Sequence, residues 1–147
     1  MYFEDFKLGL ALETPSRTVT AADITNFCCL SGDFNEVHAN IEYVKTTQFR
    51  DFIAHGPLVY AIVGGLQYAS GINDGTLIAL LGINNWTLKD PIYAGDTIRM
   101  RQTVVETRQS SKPEQGIVKM EREILNQKNQ VAQEMEAALL YRCRPAV

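Results

Sequence analysis

The sequence predicts an α+β domain in which an antiparallel β-sheet wraps around one long central helix. Residues 56–72 are almost wholly apolar, which is typical of a helix buried in a core. Four strand-like runs follow at 76–88, 97–107, 116–126 and 131–143, and segments of turn composition separate them. A sheet with one apolar face has to curl around such a helix to bury it.

Composition supports one folded domain over residues 1–147. The chain has 147 residues, of which 46% are hydrophobic and 21% charged, as in ordinary globular proteins. Its net charge of -3 argues against a general nucleic-acid binder, which needs a basic surface to neutralise phosphates. The segment nearest to membrane length, 53–72, is interrupted by His55, Pro57 and Gln67, so we expect no membrane span.

The cysteines and the first residues predict a cytoplasmic protein. Cys28, Cys29 and Cys143 form neither an even disulfide framework nor the paired spacing of a zinc site. Residues 1–6 contain two acidic side chains and no apolar run follows them, so no export signal is expected.

The N-terminal half predicts two short helices with a loop between them. Thr20 and Asp23 resemble a capping box at the start of a helix, and the Ser31-Gly32 pair ends it. A second helix is expected over 41–47 with Asn40 as its N-cap. The residues between these helices, 33–38, should then form an overhanging loop.

The long helix opens at Gly56-Pro57, where proline suits the first turn because it lacks an N–H. Its apolar side chains cover much of the circumference and predict burial on nearly all sides; they are Leu58, Val59, Ile62, Val63 and Leu66. Two later strands alternate apolar and polar residues, which predicts one buried sheet face. The alternating positions are Ile98, Met100, Gln102 and Val104, and then Val131, Met135, Ala137, Leu139 and Tyr141.

The chain contains two histidines, and both lie close to this predicted loop and helix. Asp33 precedes His38 by five residues, and His55 stands directly before Gly56. A carboxylate and an imidazole that reach one water molecule can perform acid–base chemistry, and a dry helix nearby would shift their pKa values. By composition alone, an Asp after Ser-Gly is more often a turn former, and a lone His is more often a hydrogen-bonded surface residue.

Several fixed positions resemble the MaoC-like, (R)-specific enoyl-CoA hydratases of the hotdog superfamily. The matching segments are Ser31-Gly32-Asp33-Phe34-Asn35-x-Val37-His38, 49–53, His55-Gly56-x-Leu58 and Pro91-x-x-Ala94-Gly95-Asp96-Thr97. The resemblance implies a hotdog fold and the hydration of a trans-2-enoyl thioester, carried by CoA or acyl-carrier protein, to an (R)-3-hydroxyacyl thioester, or the reverse dehydration. It also implies a homodimer or larger homo-oligomer, with no metal and no redox cofactor. Glu36 departs from the pattern where the family commonly has proline, as does Gly64, where some relatives have serine.

Carried over residue by residue, the resemblance makes Asp33 and His38 the catalytic pair and Gly56 the backbone donor to the oxyanion. Asn35 would orient the pair by fixing the loop. Four residues could line an acyl pocket, with ordinary core packing an equal alternative: Phe49, Phe52, Ile53 and Tyr60. His55 fits a structural role in the turn better than that of a third acid–base group.

Other polar and sulfur side chains are less informative. Cys28 and Cys29 lie within a predicted helix and are expected to pack there. Four basic residues are available for the substrate phosphates, and the sequence does not rank them: Lys45, Arg50, Lys89 and Arg99. We find no Gly-rich phosphate loop, dinucleotide fingerprint or metal-ligand cluster.

Two alternatives to a hydratase stay open at this point. A hotdog thioesterase would use a carboxylate to direct water at the thioester carbonyl, and the intact Asp33-to-His38 segment favours hydration over it. A non-catalytic subunit that binds acyl chains or a partner chain would be expected to lack one of these two residues.

Overall fold

The computed structural model describes residues 1–145. Its elements, in chain order, are a 3₁₀ helix (Phe3–Asp5), β1 (Ala11–Glu13), β2 (Arg17–Thr18), α1 (Ala21–Ser31), α2 (Glu36–Ala39), α3 (Ile41–Val44), α4 (Gly56–Ala69), β3 (Leu77–Leu88), β4 (Thr97–Gln109), β5 (Gln115–Leu125) and β6 (Val131–Arg142). The α+β prediction is confirmed, and the four long strands begin and end within two residues of their predicted bounds.

The strands form one antiparallel sheet in the order β1-β4-β5-β6-β3, and the two-residue β2 pairs with the start of β4. The sequence did not predict β1, β2 or the 3₁₀ helix, because two or three residues are too few to show a period. Since β3 is the last strand in the order, its outer edge is unpaired among the residues that the structure describes.

The main core lies between α4 and the inner face of the sheet. The apolar face of α4 packs against strand residues that include Ile98, Met100, Ile124 and Met135. All four are at most 3% exposed. Burying side chains of this size contributes about 1.5–3 kcal/mol each, so this contact is the main apolar support of α4.

The prediction that α4 is buried on nearly all sides is wrong. Pro57, Ala61, Gly64 and Tyr68 lie on an exposed side of the helix, and Tyr68 is 75% exposed. The sheet covers one face of α4 and α1 covers part of another, which leaves a third face to solvent.

The predicted alternation in the last strand holds from Met135 to Tyr141, where the odd positions are buried. It fails at the start of β6, where Val131 is only half-buried while Ala132 and Gln133 are both buried. A register shift between β5 and β6 at this point interrupts the period of two.

A second apolar cluster fills the sheet beyond the end of α4. It contains Val118, Met120, Leu139 and Tyr141, and the N-terminal segment covers it with Phe6. The Phe6 ring lies 4.4 Å from the Tyr141 ring, centroid to centroid. The first residues therefore close the half of the core that α4 does not reach.

No helix in the described part of the chain is long and apolar enough to cross a membrane.

Candidate active site

The end of α1 delivers Asp33 into a short, internally bonded turn. Gly32 ends α1 in the left-handed region with φ 76°, which glycine adopts without strain. The backbone N–H of Asp33 then donates to Ser31 Oγ at 3.1 Å. Asp33 Oδ1 in turn accepts from the N–H of Asn35 at 3.1 Å. The carboxylate is thus oriented by its own backbone while its side chain stays 54% exposed.

His38 lies on the short helix α2, not in the predicted overhanging loop. Asn35 is the N-cap of α2, and its Oδ1 accepts from the N–H of Val37 at 3.3 Å. Four residues form one helical turn, too short for a periodic signal. The loop is therefore shortened to residues 32–35.

The tautomer of His38 follows from its single strong contact. Its Nδ1 lies 2.7 Å from the carbonyl oxygen of Ile53, and a carbonyl can only accept. Nδ1 therefore carries the proton and Nε2 has a free lone pair. A neutral imidazole in this tautomer can accept a proton from water at Nε2.

The pKa of His38 is held below its ordinary value, mainly because the ring is partly buried. Desolvation disfavours the charged form, and the neighbouring His55 acts in the same direction. The Ile53 carbonyl and the Asp33 carboxylate oppose this shift. The lowered pKa keeps His38 neutral near pH 7, as a base requires.

In the structure, the buried ring of His55 contacts both Asp33 and His38. Its ring is 2% exposed and stacks on His38 with centroids 3.6 Å apart. Its Nε2 lies 3.0 Å from the carbonyl oxygen of Asp33 and 4.0 Å from that residue's Oδ2. In the sequence, His55 stands next to Gly56. The carbonyl oxygen that its ring contacts belongs to Asp33, 22 residues earlier, so no local sequence pattern predicts this contact.

Gly56 is the first residue of α4 and directly follows His55. Within the part of the chain that the structure describes, its N–H has no hydrogen-bond acceptor. It lies at the positive end of a 14-residue helix. A Cβ at this position would overlap the side chain of Leu88, so glycine lets that side chain of β3 lie directly against the start of the helix.

The four residues predicted to line an acyl pocket separate into two groups. Phe49 and Ile53 line a cavity of about 240 Å³ that also contacts Leu88 and Gln133. Tyr60 packs against the core and lies 5.7 Å from the ring of Trp86. Phe52 is half-buried and does not line the cavity.

Three residues that carry possible metal donors lie together in the structure, although no metal-ligand spacing was found in the sequence. One donor atom from each of Asp33, His38 and His55 lies within 4.8 Å of the others. The arrangement does not fit a metal, however. The two imidazoles are stacked, with 25° between their planes, whereas a metal lies close to the plane of each histidine that binds it.

Comparison with known proteins identifies the same family that the residues resemble. The family model described as MaoC like domain matches residues 5–124. The Klebsiella aerogenes protein MaoC is 37% identical over 102 residues, which are 69% of this chain and 30% of that protein. The chain therefore spans less than a third of that relative.

A second relative is similar over much of its own length. The (R)-specific enoyl-CoA hydratase of Rhodospirillum rubrum is 32% identical over 103 residues, 70% of this chain and 69% of that protein. The crystal structure of a MaoC-like dehydratase from the same species superposes with a TM-score of 0.87 at 26% identity, covering 99% of both chains.

The sheet wrapped around α4 is the hotdog fold. A double-hotdog protein from Mycobacterium tuberculosis shares this fold at 18% identity, with a TM-score of 0.86 over 100% of this chain and 46% of that one. Because the family model covers most of the chain and the relatives agree with it, this protein belongs to the MaoC-like family of hotdog proteins.

Proposed function

We propose that this protein hydrates a trans-2-enoyl-CoA to an (R)-3-hydroxyacyl-CoA, or catalyses the reverse dehydration. One observation carries the proposal: the Asp33 carboxylate and a neutral His38 with a free Nε2 lie side by side, next to the helix start at Gly56. Relatives named as hydratases support the same reaction class. No metal or redox cofactor is needed for it.

In the proposed mechanism, Asp33 and His38 hold one water molecule. His38 Nε2 accepts a proton from the water as its oxygen attacks the β-carbon of the enoyl group. Asp33 accepts the second hydrogen bond and orients the water. The pair then returns a proton to the α-carbon on the same face, so the water molecule is added in full.

The developing negative charge on the thioester oxygen would be stabilised by the N–H of Gly56. This N–H belongs to the first turn of α4, where the helix dipole favours a negative charge. A preformed donor of this kind typically accounts for a rate factor on the order of 10²–10³. Leu88, which covers Gly56, would help to keep water away from that oxygen.

We also propose that two copies pair along β3. This strand is at the open end of the sheet and exposes apolar side chains: Ile78, Leu80, Leu81, Trp86 and Leu88 are 37–58% exposed. An unpaired apolar edge favours association with another strand. The substitution Leu81→Lys should shift the sedimentation coefficient toward a monomer, and an unchanged assembly would contradict pairing through β3.

The reaction is tested by mixing the protein with crotonyl-CoA and following the loss of the conjugated-thioester absorbance. Asp33→Asn and His38→Gln should each lower kcat by at least ~10²-fold, with Glu36→Gln as a matched control in the same segment. Undiminished turnover in either variant would exclude the mechanism. Release of free CoA instead of hydration would identify a thioesterase, and binding without turnover a non-catalytic acyl-binding subunit.

A further inference from the structure

An arginine is buried between α4 and the sheet without an acidic partner. Arg122 on β5 is 2% exposed, and no carboxylate in the described residues forms an ion pair with it. Its Nη2 donates to Gln67 Oε1 at 3.0 Å, while its Nε has no hydrogen-bond partner there. A buried guanidinium is costly when no anion compensates it, so its retention requires an explanation.

The surroundings of Arg122 are polar as well. Gln102 is fully buried on β4, with Nε2 unpartnered among the described residues, and its Oε1 lies 3.5 Å from Gln67 Nε2. The Tyr60 hydroxyl lies beside the guanidinium. Burial lowers the pKa of Arg122, and the neighbouring Tyr60 and Tyr141 oppose this shift. Among the described residues, the cluster therefore contains hydrogen-bond donors that lack acceptors and no negatively charged group.

This cluster lies on the face of α4 that also carries the proposed oxyanion donor. Gly56, Tyr60, Val63 and Gln67 follow the spacing of one helical face. Tyr60 lies about 6 Å and Gln67 about 16 Å along the helix axis from Gly56. The guanidinium of Arg122 contacts both of these side chains.

Polar side chains connect the two ends of this face. Gln133 Nε2 donates to the carbonyl oxygen of Gly56 at 3.1 Å, and Gln133 Oε1 accepts from Trp86 Nε1 at 3.0 Å. The Trp86 ring packs on Tyr60, which lies beside Arg122. The cavity beside Leu88 and Gln133 does not extend to Arg122, so an acyl chain bound at Gly56 would have to displace the side chains packed along α4 in order to end at this positive charge.

We propose that Arg122, held by Gln67, binds a carboxylate at the far end of the acyl group, so that the preferred substrates are 2-enoyl thioesters of dicarboxylic acids. This inference rests on the proposed hydratase function. A guanidinium matches a carboxylate with two parallel hydrogen bonds, and the free Nε is available for one of them. An apolar acyl end would leave both Arg122 and Gln102 with unpaired polar atoms.

The test compares kcat/KM for crotonyl-CoA with kcat/KM for a series of 2-enoyl-CoA thioesters that end in a carboxylate. The wild-type protein should prefer at least one carboxylated substrate by about 10²-fold, and Arg122→Met should abolish that preference while still hydrating crotonyl-CoA. The matched control is Arg101→Met, on the neighbouring strand, where Arg101 pairs with Glu123 at 2.9 Å on the outer face. It should keep the wild-type preference.

If Arg122→Met does not fold, Gln67→Leu replaces it, because this change removes the acceptor that orients the guanidinium and should lower the preference at least tenfold. Hydration of crotonyl-CoA in preference to every carboxylated substrate would overturn the inference and leave the proposed function intact. If nothing is hydrated, the proposed function fails, and dissociation constants of saturated acyl-CoAs test the carboxylate site by itself: tighter binding of the carboxylated members, lost in Arg122→Met, supports that site. Equal binding overturns it.

Discussion

Replacing His55 tests whether the buried ring holds the two proposed catalytic residues in place. The ring forms a hydrogen bond to the carbonyl of Asp33 at 3.0 Å and lies 3.8 Å from Cys28 Sγ. It also stacks on His38 at 3.6 Å and makes a tilted contact with Phe27 at 4.9 Å. His55→Phe keeps an aromatic ring and loses both ring nitrogens, and with them the hydrogen bond to Asp33. His55→Ala loses the hydrogen bond and both ring contacts.

The contacts set the expected sizes of the two effects. Loss of the hydrogen bond should lower the free energy of unfolding by about 1 kcal/mol, the low end of the range, because Asp33 is exposed and water can reach its carbonyl. Removing the whole buried ring should cost about 3 kcal/mol. For a chain of this size, these changes correspond to decreases in Tm of about 2–4 °C and about 6–12 °C.

Activity should fall more steeply than stability, because displacement of a reacting group by about 1 Å can cost ~10²-fold in rate. Urea unfolding and crotonyl-CoA hydration, measured on both variants, provide the two readouts. His55→Gln is the conservative control, since its side-chain amide retains an N–H near the position of Nε2 and should recover part of the rate. Wild-type stability and turnover in His55→Ala would refute the positioning role.

Three further predictions concern single groups. Because the pKa of His38 is lowered, mainly by burial, kcat/KM should fall as pH drops below the ordinary value of 6.5. In His55→Gln this decline should begin at higher pH, because the neighbouring His55 contributes to the lowering, and NMR of the remaining histidine checks the shift. The imidazole of His38 binds a proton more tightly in the unfolded chain than in the folded one. Its contribution to the free energy of unfolding should therefore be complete above pH 6.5 and decline below that pH. Urea midpoints that rise on acidification would contradict this expectation. Thr20→Ala removes the acceptor for the N–H of Asp23 at 3.1 Å. It should lower the free energy of unfolding in urea by about 1 kcal/mol without changing KM. A loss of turnover in the folded variant would contradict a purely structural role of this cap. Gly56→Ala keeps the backbone N–H but pushes the Leu88 side chain aside; kcat should fall at least ~10-fold, and a normal kcat would exclude a shielding role of Leu88 at the proposed oxyanion site.

The local parts of this protein were predictable because their signals lie within a few residues. Thr20 and Asp23 start α1 as a capping box, and Gly32 ends it in the left-handed region, as their residue types predict. Two of the long strands, β4 and β6, showed a period of two over much of their length, and the apolar run from Gly56 marked the central helix. The family resemblance singled out Asp33, His38 and Gly56 from short motifs of the same kind.

The sequence by itself determined the fold class, the family and the three residues of the proposed chemistry. The tertiary structure alone decided that His55 joins them, since stacking on His38 and contact with the Asp33 carbonyl depend on how α1, α2 and α4 meet. It also decided that Arg122 is buried: a charged residue in a strand reads as outward-facing, and only the packing of β5 against Gln67 of α4 places it inside. Such contacts join segments tens of residues apart, and a short sequence window does not contain them.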